Sequence, residues 1–361
     1  MSYTNGLDKP KNYFDTLTYT GDGNTNLEVN GLNFTPSYIW IKGRDTAHPH
    51  TNIDSVRGGN KYLKSNETGA EETNPTYGWI DSFDSDGFTT QTGSNSNQWN
   101  VNKNGETYVA WNWKAGTSFT NDASATGIGS IDSTGSVNQD AGFSIVSYTG
   151  TGSTGTVAHG LGATPSMMIF KERADDAHGW ITYHHKNTSA PATEFLLLNT
   201  TQATEDYADY FNDTAPTSSV FTIDTAGDIN GSSDTYIAYC FAEKQGYSKF
   251  GSYTGNGSST DNSFIYTGFK VGWLMIKKTS GTSNWTIWDS VRQSNEINKP
   301  LWGDLNSAEA AQSTVKLDLL SNGFKIRGNG SNVGSSGGSY IYMAFASNPL
   351  VTSTGVPATA R

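Results

Sequence analysis

A chain that repeats one pattern at a fixed interval must build one supersecondary unit several times over, and that restriction governs this sequence. Tyr19-Thr20-Gly21 returns as Tyr148-Thr149-Gly150 and as Tyr253-Thr254-Gly255, each followed by a second glycine, Gly23, Gly152 and Gly257. A strand-like segment ending in lysine follows: Tyr38-Ile39-Trp40-Ile41-Lys42, Met167-Met168-Ile169-Phe170-Lys171 and Trp273-Leu274-Met275-Ile276-Lys277. The copies close on Thr107-Tyr108-Val109-Ala110-Trp111, Thr235-Tyr236-Ile237-Ala238-Tyr239 and Ser339-Tyr340-Ile341-Tyr342-Met343-Ala344-Phe345. From the first tyrosine to the closing one is 89, 88 and 87 residues, and from the first tyrosine to the lysine 23, 23 and 24. Three anchors in constant register define three copies of a unit of roughly 100 residues.

The pattern inside each copy is that of strands. Phe143-Ser144-Ile145-Val146-Ser147-Tyr148 largely alternates apolar and polar side chains, as a half-buried strand does. Gly87-Phe88-Thr89-Thr90, Val220-Phe221-Thr222-Ile223 and Gly323-Phe324-Lys325-Ile326 are short strands at matching places. The single helical candidate is Ser307-Ala308-Glu309-Ala310-Ala311-Gln312, one or two turns. The closing segments are apolar on both faces, which puts them mid-sheet or against another domain or chain. The expectation is an all-β protein of three tandem antiparallel β-sandwich domains of jelly-roll type. Its boundaries are 1–116 with an N-terminal arm, 142–246, and 247–361 with a C-terminal tail. Thr117–Ala141, rich in Gly, Ser, Thr, Asn and Asp, reads as a linker. Glu243-Lys244-Gln245-Gly246-Tyr247 joins the second and third copies almost directly, so these two should form the tighter pair.

Charge and composition exclude several function classes. The net charge of −11 disfavours nucleic-acid binding. No apolar run approaches the ~20 residues of a membrane-spanning helix. The opening Met1-Ser2-Tyr3-Thr4-Asn5 lacks the form of a secretory signal. One cysteine, Cys240, permits neither an internal disulfide nor a multi-cysteine zinc site. Its apolar setting marks it as a buried, inert thiol.

Chemistry-bearing constellations are few. Asp84-Ser85-Asp86-Gly87 resembles the start of a calcium loop, but no glutamate closes it, so it reads as a turn. His178, His184 and His185 lie near Asp175 and Asp176. Adjacent strand residues point to opposite faces, which argues against a shared metal. Asp54-Ser55-Val56-Arg57 and Asp289-Ser290-Val291-Arg292 each begin 12 residues beyond a strand lysine, Lys42 or Lys277. The aspartate is expected to pair with that lysine as a turn lock, or to contact a glycan; in copy two Tyr183 is read as standing in its place. Trp40, Trp111 and Trp273 fall inside strands and are core residues, whereas Trp79, Trp99, Trp180 and Trp302 are candidates for exposed contact with sugar. The candidate binding set is therefore these four tryptophans with Asp54, Arg57, Asp289 and Arg292. No catalytic residue, metal or cofactor is nominated.

Tyr253–Gly257, Gly268–Lys277, Trp288–Arg292, Ser321–Ile326 and Tyr340–Ala346 resemble repeat modules of virion structural proteins in marine tailed phages, including cyanophages. The similarity extends over nearly the whole chain and is weakest in copy two. It implies concanavalin-like, lectin-like β-sandwich domains and a virion component made in the host cytoplasm, with no catalytic residues carried over. The expected function is non-enzymatic: a tail-fibre or tail-associated protein attaching to the host surface by many weak contacts, glycan among them. Its partners would be other tail or capsid proteins and copies of itself, a homotrimer being typical of fibres. The alternatives are a capsid decoration protein and, third, a glycan depolymerase.

Overall fold

The computed structural model describes residues 4, 6–174 and 177–357. Each repeat turns its anchor segments into one antiparallel sheet with the strand order opening, closing, lysine, flanking. In repeat 1 these strands are Phe14–Thr20, Thr107–Trp113, Tyr38–Gly43 and Thr51–Asp54. In repeat 2 they are Phe143–Thr149, Thr235–Phe241, Met167–Glu172 and Trp180–His184. In repeat 3 they are Ser248–Thr254, Ser339–Pro349, Phe269–Lys278 and Thr286–Asp289. The registers coincide: Tyr38, Met167 and Trp273 lie opposite Trp113, Phe241 and Phe345. A smaller sheet accompanies each, built around Gly87–Gln91, Val220–Ile223 and Gly323–Ile326. The architecture is all-β, with multiple antiparallel sheets in the manner of a β-sandwich.

The recurring Tyr-Thr-Gly motif is a clamp on the loop that enters the closing strand. Tyr19, Tyr148 and Tyr253 stack on Tyr108, Tyr236 and Tyr340 at 5.1, 5.2 and 5.0 Å. Their hydroxyls donate to the carbonyls of Val101, Ile229 and Val333. A Cβ on Gly21, Gly150 or Gly255 would fall 2.3–2.5 Å from a backbone oxygen of that loop, so only glycine fits.

Period-two alternation then divides the apolar residues between two destinations. Ile39, Ile41, Tyr108 and Ala110 face the smaller sheet and pack with Val29, Ile80 and Phe88. Met168, Phe170, Tyr236 and Ala238 do the same in repeat 2, and Leu274, Ile276, Tyr340 and Ala344 in repeat 3. The intervening residues, Trp40, Trp111, Trp113, Ile169, Tyr239, Phe241, Met275, Met343 and Phe345 among them, meet in a fourth core common to all three repeats. Trp113, Phe241 and Phe345 hold the same place in their closing strands, and their rings form a near-equilateral triangle with sides of 6.3, 5.7 and 6.1 Å. The repeats therefore close on one another as a ring with approximate threefold symmetry. The first touches the third as directly as the second, in place of the expected tighter pairing of two and three.

Two further expectations are corrected. Thr117–Ala141 is not an extended linker. Thr117–Asn121 and Ser133–Asn138 form a hairpin that adds two strands beside Phe143–Thr149. Strand pairing uses backbone groups, which small polar residues supply as well as apolar ones do. Asp122 caps the helical turn Ala123–Thr126 between them. Ser307–Gln312 is not a helix but a segment without regular secondary structure; Gln312 N–H donates to Asn298 O, and Glu309 is tied into repeat 1.

Truncating any ring of the triangle opens a cavity bounded by all three repeats. Trp113→Ala, Phe241→Ala and Phe345→Ala are each expected to cost about 3–5 kcal/mol in urea unfolding. Losses below about 1 kcal/mol would contradict a shared core.

Candidate functional site

The residues singled out for chemistry converge on the three seams of the ring. Four positions before Asp54, His184 and Asp289 stand His50, Trp180 and Trp285. His50 Nε2 lies 2.8 Å from Trp302 O. Trp180 Nε1–H donates to Lys64 O and Trp285 Nε1–H to Leu197 O, both at 2.9 Å. The three acceptors each follow a leucine of the common core, Leu301, Leu63 or Leu196. Bonds thus run from repeat 1 to 3, 2 to 1 and 3 to 2. His50 Nδ1 accepts the Trp40 Nε1–H bond at 2.7 Å, which leaves the proton on Nε2. Burial pushes the His50 pKa down to about 3, so the ring is neutral.

A second latch runs the other way round the ring. Asp54 Oδ1 accepts the N–H groups of Val56 and Arg57, and Oδ2 binds Arg57 Nε at 2.5 Å. Tyr239 of repeat 2 donates its hydroxyl to the same Oδ2 at 2.8 Å. Arg57 continues to Glu71 at 3.2 Å, and Glu71 takes a fork of two 3.0 Å bonds from Arg173 of repeat 2. Between repeats 3 and 1 the arrangement recurs. Asp289 binds Arg292 at 2.5 Å and accepts from Trp111 Nε1 at 3.1 Å, while Glu309 bridges Arg292 at 3.3 Å and Arg44 at 2.7 Å. Burial opposes the Arg57 charge, but Asp54 and Glu71 outweigh it and its pKa is raised. Burial also opposes ionisation of Glu71, and the Arg173 and Arg57 guanidiniums overcome it, holding the carboxyl below its usual range.

The seam between repeats 2 and 3 replaces every charged member of this chain. Met167 lies opposite His184 as Tyr38 lies opposite Asp54, so His184 occupies the aspartate's place. This corrects the assignment of that place to Tyr183, whose side chain turns into its own repeat's core. His184 Nδ1 accepts the N–H of Lys186, as Asp54 accepts that of Val56, and Nε2 lies 3.2 Å from Tyr342 O in repeat 3. Asn187 stands for the first arginine, Thr204 for the glutamate and Thr279 for the second arginine. Thr204 Oγ1–H donates to Asn187 Oδ1 at 2.7 Å, and Thr204 N–H to Thr279 O at 3.1 Å. The N–H groups of Glu71 and Glu309 make that backbone bond to Arg173 O and Arg44 O, both at 2.8 Å.

The expected aspartate–lysine pairing is therefore replaced by aspartate–arginine. Asp54 lies opposite Tyr38, four strand positions from Lys42, or ~13 Å away. Lys42 Nζ donates instead to Gly43 O and Lys277 Nζ to Ser283 O, both at 2.6 Å. Burial pushes both lysines down to about 8. Because Asp54, Arg57, Asp289 and Arg292 have buried side chains at the seams, they are out of reach of an external glycan. Trp180 is likewise wholly buried, against its reading as an exposed contact. Trp79, Trp99 and Trp302 are half-buried; Trp99 stacks on His48 and Tyr77, and Trp302 packs on the third core.

Asp84 and Gly87 close a two-residue hairpin turn whose Asp84 carboxylate accepts from Ser82 and Thr89. Among the described residues, no group of three or more His, Cys, Asp and Glu side chains is placed to hold a metal; Asp175 and Asp176 lie outside those residues. Cys240 is buried, and burial raises its thiol pKa. The residues that sequence reading passed over are Phe264 and Tyr266, 47% and 58% exposed on the small sheet of repeat 3. Aligning the repeats reveals them, because repeat 1 carries Glu28 and Asn30 at the same positions.

The profile of one protein family, described as a domain of unknown function (DUF7483), matches residues 9–349 and so spans all three repeats as a single unit. No curated protein matches the chain.

Removing one charge from a seam strands the others. Glu71→Thr alone is expected to cost about 3–5 kcal/mol. The set Asp54→His, Arg57→Asn, Glu71→Thr and Arg173→Thr, which copies the neutral seam, should cost less than that single change when urea unfolding is compared. Glu71 has a folded pKa below its unfolded one, so its contribution is complete above the unfolded value of about 4.3 and is lost as pH falls through the folded value. Glu71→Gln should accordingly flatten the acid limb of the stability profile; an unchanged limb would exclude Glu71 as a contributor.

Proposed function

The chain belongs to the DUF7483 family, and we propose that it is a non-enzymatic phage virion structural protein, a tail-fibre or tail-associated component that attaches to the host surface. In this reading the repeats are three β-sandwich domains of jelly-roll, concanavalin-like type, fused so that one chain has the symmetry of a trimeric appendage. The supporting observation is where the charged side chains go: Asp54, Arg57, Glu71 and Arg173, with Asp289, Arg292, Glu309 and Arg44, tie the repeats together. A scaffold needs such bonds, and they leave the outward loops free to differ. The resemblance of the repeat motifs to tailed-phage virion modules gives the setting. Partners are then other tail proteins, further copies of the chain, and surface glycan contacted weakly at several points. The net charge of −11 fits protein and uncharged glycan better than nucleic acid.

The same approximate threefold shape favours a second reading, a capsid decoration protein seated over a threefold junction of shell subunits. Imaging the intact particle by cryo-electron microscopy separates the two. The leading reading predicts a few copies on the tail, and particles lacking the protein that fail to adsorb. Hundreds of copies on the shell, with loss of capsid stability on removal, would overturn it in favour of decoration.

A further inference from the structure

We propose that the outer face of the small sheet in repeat 3 binds an uncharged saccharide, with Phe264 and Tyr266 as its stacking platform; this rests on the surface-attachment reading above. The three repeats provide an internal control. Where repeat 3 has Phe264, repeats 1 and 2 have Glu28 and Thr156; where it has Tyr266, they have Asn30 and Ala158. The fold therefore requires an aromatic ring at neither position, yet both rings stand in solvent. Phe264–Tyr266 is an edge strand with Ile265 turned inward, so the two rings project from one face about 7 Å apart. In repeat 2 the matching edge is covered by Ile131, which bridges to Val157. In repeat 3 no strand or bridge among the described residues covers that edge.

Tyr266 also forms one wall of a cleft of about 270 Å³, with Glu243, Lys249, Thr267, Gly268 and Val351 around it. That volume is below the roughly 300–1,000 Å³ of sites for larger ligands and suits one sugar ring. Charged groups bordering the platform occur as ion pairs: Lys249 with Glu243, Lys325 with Asp261 and Arg327 with Asp318. Lys325 lies directly opposite Phe264 in the sheet. These pairs leave the patch locally balanced in a chain of net charge −11, with no surplus cation among them for a phosphate or uronate. Sugar hydroxyls can bond such pairs while they stay hydrated, whereas a protein partner would have to desolvate them. Stacking on two rings with hydrogen bonds at the rim is the chemistry of neutral saccharide recognition.

The test screens the full chain against arrayed neutral and acidic oligosaccharides, then titrates the best neutral ligand calorimetrically into wild type and Phe264→Glu/Tyr266→Asn. The double variant carries the residues repeat 1 holds at these positions, so the fold should tolerate it, and an unchanged melting temperature checks that it does. The expected result is binding of a neutral saccharide that the variant weakens roughly tenfold or more. Binding that the variant leaves unchanged, binding of acidic saccharides only, or no saccharide binding would overturn the site. So would self-association of the wild type that the variant abolishes, which would make the patch a contact between copies. Failure of the attachment reading shows differently, as absence of the protein from the tail of the imaged particle with saccharide binding intact.

Discussion

The structure depends on one packing constraint: the main sheet of every repeat is apolar on both faces. A strand with a single apolar face is satisfied within one sandwich. Here Val109, Trp111 and Trp113 would stand in water if repeat 1 stood alone, as would Ile237, Tyr239 and Phe241 in repeat 2 and Ile341, Met343 and Phe345 in repeat 3. Each large side chain contributes roughly 1.5–3 kcal/mol when removed from water. The same face of each of the other two repeats carries the same pattern, and the three cover one another. Three such faces meeting edge to edge give the triangle of Trp113, Phe241 and Phe345, and the chain closes into a ring.

Burying that core also buries polar edges, and the two latches satisfy them. The ionic seams are chains of alternating charge in which each carboxylate lies between donors. A buried ion whose partner is removed is costly, so such a chain changes as a set or not at all. The seam between repeats 2 and 3 displays the set changed: His184, Asn187, Thr204 and Thr279 keep the geometry of the backbone bonds without any ion. Even the receiving residue follows suit. Tyr239 and Trp111 offer a donor to an aspartate, whereas Met343 offers none, and His184 turns its own N–H to the adjacent carbonyl of Tyr342. What looks in sequence like drift of the second repeat is a coordinated replacement across two repeats. Its result is that one seam of the three is neutral where the other two are ionic.

The strands and the spacing of the repeats are legible because they rest on local signals. Alternation locates Phe143–Tyr148, a β-branched and aromatic run locates Val220–Ile223, and the constant spacing of the tyrosines fixes the repeats. The doubly apolar closing strands also announced a buried outer face. The partner of Asp54 was not legible, because reach depends on where the strands pair, and pairing puts Lys42 ~13 Å away. Tyr183 lies one residue from the aspartate's place, and in a strand one residue reverses the face. Trp180 reads as an exposed ring because its burial is supplied by another repeat. Thr117–Asn121 has linker composition, and only the neighbouring sheet edge gives it a strand to join. In each case the missing information is non-local.

The central claim is that three sequence repeats form one cooperative body around a common core. Differential scanning calorimetry of the intact chain tests it most directly. A shared core predicts one transition whose calorimetric and van't Hoff enthalpies agree. Two or three resolved transitions, each with the enthalpy of a unit of roughly 100 residues, or about 60–80 kcal/mol near its midpoint, would show the repeats unfolding separately and contradict the account.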